Sequence, residues 1–523
     1  MPLKNTSLFS ALLLVFMFTS AFYGLASPKK QLFSVKDYGA KGDGTSLDTK
    51  AIQATIDAAA GQGGGTVVLP PGKYLSGTII LKDHILLRIE AGAVLLGSTD
   101  MKDYPENIVM IDMVPGTTFS APLVYAERAR YVGIEGKGMI DGQGTRLNFP
   151  PLPAANYRPG LIRFNYCQFV TMEDIHLTRP ARWTVHLRDS EDITIRNISI
   201  QSRSNRNNDG IDIDGCQRVK ITGCTIDTED DAIVLKSYRA HTVRDIVVAN
   251  CILTSWCYAF KIGTETLGNV ENVSVSNCVI YESHGIALQS MDGAQVRNVT
   301  ISNITMNDCF AVLELRLGGR MRVYASEEND VLPTVPGKME NIIITNIQAD
   351  NVAQSFDYIC GIPGYPVEKV VLDNIRIRYK GGGKKEDAYA AIDDKIKDYP
   401  KWTLFGTLPS YGFFIRHAQD ISISNLHLSV QEPDYRPALH CEKVTGLSVA
   451  SSSFMGHLQG APVIRLINTQ EATIRHSTSS GPVATFIGIE GAASADTYLD
   501  SNYPAKAKQY YQVEKEVLQP KVR

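Results

Sequence analysis

The sequence predicts an all-β protein that folds as a parallel β-helix, a solenoid closed at its start by a capping helix. Two observations predict this fold. Short strand-like segments recur with a period in the twenties, and each carries a small apolar residue at the same position. Gly, Asp and Asn separate these segments, as turn residues separate strands.

The repeat is clearest from about residue 170 onward. Its matching positions, in steps of 23, 26, 27, 27 and 26 residues, are Ile175, Ile198, Cys224, Cys251, Cys278 and Ile304. With longer gaps, the pattern continues at Ile347, Ile375 and Leu426. Leucine-rich repeats have a similar period, but the sequence lacks their L-x-x-L-x-L core, so the β-helix is favoured.

The nine cysteines are predicted to be structural. An odd number in a large chain argues against a disulfide framework, and no C-x-x-C pair indicates a zinc site. Because Cys224, Cys251 and Cys278 are 27 residues apart, we expect each to pack on the next within the core.

Length and charge narrow the class of protein. A chain of 523 residues often contains several domains, but an elongated all-β fold can hold this length in one. The formal net charge of -3 argues against a nucleic-acid partner.

The first residues resemble a targeting segment. Lys4 gives a positive start, the stretch from Leu8 to Leu25 is mostly apolar, and a cleavage site near Ala26 is plausible. We therefore predict a signal peptide over residues 1–26, export to the periplasm or outside the cell, and no membrane span after its removal. A short N-terminal membrane anchor is the alternative.

Residues 27–64 are predicted to form a strand, a Gly-rich turn and the capping helix. The helix is expected to begin near Ser46 or Asp48, since Ala51, Ile52 and Ile56 follow helical periodicity. The turn G-A-K-G-D-G lacks the G-K-[ST] end of a phosphate loop. A helix here would cover the exposed end of the sheet.

Residues 65–487 are the predicted β-helix domain. Residues 380–412 interrupt its repeat with a Gly- and Lys-rich opening, a short segment of helical character and the aromatic-rich run K-W-T-L-F-G. Such an insertion usually lies over the binding face of a solenoid. Residues 488–523 are predicted to be a weakly patterned polar tail.

An acidic cluster gives the first indication of chemistry. Asp209 and the pair Asp230 and Asp231 each stand just before a strand, and 21 residues separate Asp209 from Asp230. Because adjacent coils stack at roughly 4.8 Å, the three carboxylates should share one patch, and at least one pKa should rise. A protonated carboxyl beside a carboxylate is the machinery of glycoside hydrolysis.

Alternation along the strands predicts a polar face beside this patch. One outward column contains Asp214, Lys236, Gly263, Gln289 and Arg316, and a second contains Asp212, Val234, Lys261, Ala287 and Glu314. An extended charged groove suits a polysaccharide; a solvated sheet face is the alternative.

At these residues the sequence resembles the polygalacturonases, the pectin-degrading glycoside hydrolases of family 28. The family's N-T-D motif corresponds to Asn207, Asn208 and Asp209, and its D-D pair to Asp230 and Asp231. The resemblance implies a right-handed β-helix and an inverting mechanism. Asp230 would be the general acid, and Asp209 and Asp231 would activate water.

Two motifs of the family are changed. Its G-H-G motif falls at Cys257, Tyr258 and Ala259, and its R-I-K motif falls at Ala287, Leu288 and Gln289. We therefore expect altered specificity, such as exo action on a branched pectic or other acidic glycan. The predicted substrate-binding residues are Asn207, Lys236, Lys261, Gln289, Arg316 and Arg320, and Glu265 and His284 lie nearby in the chain.

Two other functions remain open from the sequence. A Ca²⁺-dependent polysaccharide lyase would use carboxylates near Lys and Arg, and a non-catalytic β-helix would bind glycan only. The favoured hypothesis is a monomeric hydrolase of a polysaccharide or oligosaccharide that needs no metal and no cofactor.

Overall fold

The three faces of a solenoid account for nearly every strand. The computed structural model describes residues 31–106, 108, 120–150, 158–324, 331–353, 357–504 and 506–523. Parallel strands in three ladders form the predicted right-handed parallel β-helix, which confirms the fold class. The predicted signal peptide lies outside the described residues. Among those that are described, no helix is long and apolar enough to cross a membrane.

The first ladder carries the candidate site. Its strands are Ile79–Leu81, Val124–Glu127, Ile162–Asn165, Val185–Arg188, Ile211–Asp214, Ile233–Ser237, Phe260–Thr266, Ile286–Ser290, Leu313–Leu317, Tyr358–Cys360, Phe413–Glu432, Leu439–Ala450, Ile464–Ile467, Val483–Glu490 and Ala507–Val513. The inward residues of these strands are apolar and buried, as the alternation predicts.

The second and third ladders close the solenoid. Second-ladder strands are Leu32–Ser34, Gly65–Leu69, Ile85–Ile89, Gly133–Glu135, Gln168–Glu173, Glu191–Arg196, Gln217–Thr222, Val243–Ala249, Gln470–Arg475, Tyr498–Asp500 and Lys521–Val522. Third-ladder strands are Asp43–Leu47, Gly72–Ser76, Ala93–Gly97, Met139–Asp141, His176–Thr178, Ser199–Gln201, Thr225–Thr228, Ile252–Ser255, Ser453–Phe454 and Thr478–Ser479. Both ladders share the long strands Val270–Tyr281, Gln295–Asn307, Lys338–Val352 and Val367–Gly381.

The capping helix spans Thr49–Gly61. Asp48 precedes it, and its carboxylate accepts hydrogen bonds from the backbone amides of Lys41 and Gly42, which ties the Gly-rich turn to the helix start. The helix buries Ile52 and Ile56 against the first coils. Short 3-10 turns occur at Val35–Tyr38, Met101–Asp103 and Glu386–Tyr389.

An asparagine ladder marks the turn between the second and third ladders. Asn277, Asn303, Asn346 and Asn374 all have φ between 52° and 58°, a left-handed conformation that Asn tolerates. Their side-chain amides bond from coil to coil over distances of 3.0, 2.9 and 2.8 Å. The buried matching position follows each one, so this turn fixes the phase of the repeat.

The cysteine column follows the predicted register. Cys224, Cys251 and Cys278 are each 1% exposed and lie in the same core position of successive coils. All nine cysteines are free thiols. The prediction that the three are core residues is confirmed.

Two segments differ from their sequence predictions. Residues 488–523 are not a detached tail, because Val483–Glu490 pairs with Ala507–Val513 and Tyr498–Asp500 pairs with Lys521–Val522. These final strands are half-exposed, so their apolar alternation is weak. The insertion begins after Gly381 and ends before Phe413, close to the predicted bounds, but it contains one 3-10 turn rather than a helix.

Candidate active site

Strand register brings the three aspartates together. Ile211 pairs with Ile233, so the residues before these strands are also neighbours on adjacent coils. The Gly210 amide donates to the Asp231 carbonyl at 2.9 Å, which sets Asp209 beside Asp231. The Asp230 amide donates to Asn208 Oδ1 at 3.1 Å. The predicted carboxylate patch is therefore present.

Asp230 is the carboxyl group of the patch whose pKa is raised. It is half-buried, and burial raises its pKa to about 7, with the charges of Asp209 and Asp231 acting in the same direction. Lys261 and Lys236 oppose this shift without cancelling it. Asp230 can therefore hold a proton at mildly acidic pH.

Two buried lysines neutralise the other two aspartates. Lys236 Nζ lies 3.0 Å from Asp209 Oδ2, and Lys261 Nζ lies 2.9 Å from Asp231 Oδ2. All four side chains are at most 6% exposed. Since an adjacent ammonium stabilises a carboxylate, both aspartates are arranged to act as bases or water ligands. Both lysines come from the outward columns that the sequence predicts.

Asp212 completes the setting of Lys236. It is fully buried and lies 2.7 Å from Lys236 Nζ, so one ammonium bridges Asp209 and Asp212. Burial raises the pKa of Asp212 well above its usual range. The ring of Trp183 packs 4.2 Å from the same ammonium. Lys236 is thus held from three sides and directed at Asp209.

Asn207 lies at the exposed rim of the patch. Its backbone has φ of 53°, and its Oδ1 accepts a hydrogen bond from Arg158 Nη2 at 3.0 Å. Arg158 also donates to the Ala181 carbonyl at 2.9 Å, which joins two coils. Sequence reasoning did not single out Arg158, because it lies outside the repeat segments.

Tyr258 lies where the resemblance to the polygalacturonases would place a histidine. Its amide donates to Asp231 Oδ1 at 3.3 Å, and its ring lies 5.1 Å from Lys261 Nζ. Its hydroxyl donates to Glu314 Oε2 at 2.9 Å, as does the hydroxyl of Tyr358. Burial raises the pKa of Glu314 to about 8. Through its amide and its ring, Tyr258 therefore helps to position the Asp231–Lys261 pair.

The insertion covers two residues predicted to bind substrate. Gln289 is fully buried and donates to the Pro400 carbonyl at 2.8 Å. Arg316 is fully buried and donates to the carbonyls of Asp394 at 2.7 Å and Lys395 at 2.9 Å. Direct contact with a sugar, as the sequence predicts for both, does not fit this burial. Arg316 instead ties the insertion to the first ladder through these carbonyls.

Arg320 lies at the edge of the predicted binding face. Its side chain is 10% exposed and forms an ion pair with Asp292, to which its Nε donates at 2.9 Å. Its guanidinium also contacts the rings of Tyr324 at 5.6 Å and Tyr399 at 5.8 Å. The insertion thus places Tyr399, which is 53% exposed, beside the predicted binding face.

His284 anchors the insertion to the cleft. Its ring stacks between those of Phe310 and Trp402, with both centroid distances 4.6 Å. Burial lowers its pKa to about 4, so it is neutral at physiological pH. Nearby Glu265 is half-buried and accepts from Tyr324 Oη at 3.5 Å. The aromatic run of the insertion was the only sequence signal for these contacts.

One group of side chains has the spacing of metal ligands. The donor atoms of Asp230, Asp231 and Cys257 lie within 4.8 Å of one another. Calcium takes six to eight oxygen ligands, whereas this group offers a thiol whose pKa burial raises well above its usual range. Asp231 is also engaged by Lys261. The donor set does not match the calcium site of a lyase.

Two family models and a curated relative match the sequence of the chain. The sequence model described as glycosyl hydrolases family 28 matches residues 107–396. A second model, rhamnogalacturonase A/epimerase, pectate lyase-like, matches residues 32–105. A probable polygalacturonase of Vitis vinifera is 26% identical over 414 residues, which cover 75% of this chain and 83% of that protein.

Solved structures share the fold. An exopolygalacturonase from Thermotoga maritima matches with a TM-score of 0.59 at 22% identity, covering 75% of this chain and 91% of its own. A family 28 exopolygalacturonase from Yersinia enterocolitica matches with a TM-score of 0.62 at 20% identity, covering 80% and 78%. At these identities the likeness shows the β-helix alone.

Proposed function

The chain belongs to family 28 of the glycosyl hydrolases, because the family model matches more than half of the chain, and we propose that the protein cleaves glycosidic bonds in a pectic polysaccharide. The protein is a glycoside hydrolase by family. The names of relatives such as the Vitis vinifera probable polygalacturonase support a pectic substrate.

One observation carries the mechanism: Asp230 lies beside Asp209 and Asp231, and burial together with their charges raises its pKa to about 7. A general acid must hold its proton at the working pH and release it to the leaving oxygen. Asp230 meets this requirement because burial and two neighbouring aspartates disfavour its charge. We assign the general acid to Asp230.

Asp209 and Asp231 are assigned to the water. Their lysine partners stabilise the carboxylate form, which can accept a proton from a water held between them. Attack by that water on the face opposite the leaving group inverts the anomeric carbon. Lys236 and Lys261 act as positioning residues in this scheme, and Asn207 lies at the rim where a sugar would enter.

A lyase mechanism is less well supported. It needs a basic Lys or Arg to remove a proton, but the pKa of Lys261 lies well above its usual range because the charge of Asp231 outweighs the lowering by burial. Asp209 and Asp212 likewise raise the pKa of Lys236 well above its usual range. A lysine that stays protonated is a poor base.

Export and a monomeric state belong to the same proposal. The charged start and apolar stretch within residues 1–26 support a signal peptide, and a polymeric cell-wall substrate would be met outside the cytoplasm.

Incubation with a panel of pectic oligosaccharides tests the function. We expect saturated reducing sugars as products, with inversion visible as the initial anomer by proton NMR. Asp230→Asn should abolish turnover, whereas Asp192→Asn, the same change at a surface ion pair with Arg218, should not. Unsaturated, chelator-sensitive products would establish a lyase instead, and no product from any pectic glycan would refute the proposal.

A further inference from the structure

A buried carboxyl group, Glu314, lies on the first ladder outside the group of aspartates. It stands in the same outward column as Lys261, because Lys261 pairs with Ala287 and Ala287 pairs with Glu314. Two coils correspond to ~10 Å along the solenoid axis at the usual strand spacing. Glu314 is 0% exposed, so it meets neither solvent nor a substrate directly. Any part that it takes in the reaction must pass through other side chains.

Tyr258 spans the interval between Glu314 and Lys261. At the intervening position of the column, Ala287 offers only a methyl group. The centre of the Tyr258 ring lies 5.1 Å from Lys261 Nζ, and its hydroxyl donates to Glu314 Oε2 at 2.9 Å. The Tyr258 amide donates to Asp231 Oδ1 at 3.3 Å. A single residue therefore contacts the Asp231–Lys261 pair at one end and Glu314 at the other.

A second tyrosine holds Glu314 from the next coil. Tyr358 pairs with Glu314 in the ladder, and its hydroxyl donates to the same oxygen, Oε2, at 2.9 Å. The ring of Tyr358 contacts that of Phe405 in the insertion, with their centroids 5.1 Å apart. Both tyrosines are at most 2% exposed. The ladder and the insertion therefore enclose Glu314 together.

Glu314 has no cation of its own. Among the residues that the structure describes, it forms no ion pair, and its Oε1 has no hydrogen-bond partner. Lys261 is the cation that acts on it, but the ammonium of Lys261 lies 2.9 Å from Asp231. An ionised carboxylate in such a place is unfavourable. A neutral acid still accepts both hydroxyls at Oε2 and carries its proton on Oε1.

The surrounding charges agree with a neutral acid. Burial raises the pKa of Glu314 to about 8, and the charge of Asp357 acts in the same direction, against the two hydroxyls and Lys261. Asp357 accepts from the amides of Val312 and Leu313, both at 2.7 Å, so it is held at the start of the same strand. Burial also raises the pKa of both tyrosines well above their usual range, so their hydroxyls stay protonated. The titratable groups that face Glu314 are Tyr258, Lys261, Asp357 and Tyr358.

The charge of Glu314 matters because of Lys261. An ionised Glu314 would attract the ammonium that holds Asp231, from two coils further along the same column. This attraction would weaken the Asp231–Lys261 pair. A neutral Glu314 instead anchors the Tyr258 hydroxyl and leaves Lys261 to Asp231 alone.

We propose that Glu314 acts in its protonated form as a positioning residue for the Asp231–Lys261 pair, through the hydroxyl of Tyr258. This inference rests on the proposed function. It makes a second proton, besides that of Asp230, a requirement of the active state. A rise in pH therefore removes two protons from the active state, one after the other.

The test is the pH dependence of kcat in the native protein, Glu314→Leu and Glu314→Gln. Leucine accepts no hydrogen bond, so Glu314→Leu should lower kcat at pH 6 by about 10-fold or more, whereas Glu314→Gln should restore it to within about 2-fold. Above pH 7, kcat should fall about 10-fold per pH unit as Asp230 loses its proton. Above pH 8 the native protein should fall about 100-fold per unit, and Glu314→Gln, which stays neutral, still about 10-fold.

Glu340→Gln is the matched control, because Glu340 pairs with Lys369 on the second ladder, and it should leave the pH profile unchanged. Equal slopes in the native protein and Glu314→Gln above pH 8 would overturn the inference. A kcat of Glu314→Gln at pH 6 as low as that of Glu314→Leu would overturn it as well. If Glu314→Leu does not fold, the slopes of Glu314→Gln decide alone.

Urea unfolding separates this inference from the proposed function. Between pH 4.5, the ordinary pKa of a glutamate, and about pH 8, the native protein binds a proton at Glu314 that the unfolded chain has released. Its stability relative to Glu314→Gln should therefore fall as the pH rises through this window and stay constant above it. If no such fall occurs while pectic glycans are cleaved, only the inference is refuted. If the fall occurs but no pectic glycan is cleaved, the proposed function is refuted, and the positioning role with it.

Discussion

Replacing Asp230 by Asn should reduce activity and increase stability together. Activity should fall on the order of 10²-fold or more, because the variant has no proton to donate. Stability should rise because the native state no longer has to hold a carboxyl group whose charge it disfavours. Asn keeps the side-chain oxygen that accepts from the Asp231 amide at 3.0 Å, so the local geometry is preserved.

The size of the gain follows from the pKa. Between pH 3.8, the ordinary pKa of an aspartate, and about pH 7, the native protein binds a proton at Asp230 that the unfolded chain has released. Each pKa unit is worth ~1.4 kcal/mol, so wild-type stability should fall by at most about 4 kcal/mol as pH rises through this window. Below pH 4 the two proteins should unfold alike, and above pH 7 the gain should be constant.

Urea unfolding at pH 3.5, 5.5 and 8 measures this difference. Asp231→Asn is the matched control, since it removes the partner of Lys261 and should destabilise the protein at pH 5.5 and 8. A loss of stability in Asp230→Asn at pH 8, or a difference that does not change with pH, would refute the assignment of the raised pKa to Asp230.

Three further outcomes are expected. Lys261→Met should lower kcat by roughly 10-fold or more and raise KM, because Asp231 loses its ion-pair partner. Steady-state kinetics at two substrate lengths measures both constants. An unchanged kcat would contradict the positioning role of Lys261. Arg316→Met should release the insertion, because Arg316 donates to the carbonyls of Asp394 and Lys395. Limited proteolysis within residues 382–412 should then be faster, with far-UV circular dichroism unchanged. Equal cleavage rates would show that Arg316 does not hold the insertion. Thiol labelling of the native protein should leave Cys224 largely unmodified, since it is 1% exposed, and rapid labelling would contradict the core register.

The repeat made much of the site predictable. A constant period and strict alternation are enough to place Asp209 beside Asp231 and to bring Lys236 and Lys261 into the same outward face. Both placements follow from the pairing of backbone strands in adjacent coils, and this pairing depends little on the contacts that the side chains make. The assignments of Asp209, Asp230 and Asp231 to catalytic roles remain proposals.

The insertion was less predictable, for a physical reason. Arg316 and Gln289 are held by backbone carbonyls, which every residue possesses, so the sequence carries no mark of these contacts. The segment has no period to fix its register. The pairing of His284 with Trp402 likewise joins residues far apart in the chain. The alternation along a solenoid strand therefore predicts which side chains point outward, but not whether those side chains are exposed to solvent.

The asparagine ladder bears on how such a protein changes in evolution. The Nδ2 amide of each turn asparagine donates to Oδ1 of the equivalent asparagine one coil away, so the bonding across a junction is the same wherever the junction lies. Deletion of residues 303–345 would let Asn346 bond to Asn277 in place of Asn303. The length of the molecule is therefore adjustable in whole coils behind the aspartates. Such a change would keep the aspartates and their lysine partners but remove Glu314 and Arg320, so the number of coils alters the surroundings of the patch and not the patch itself.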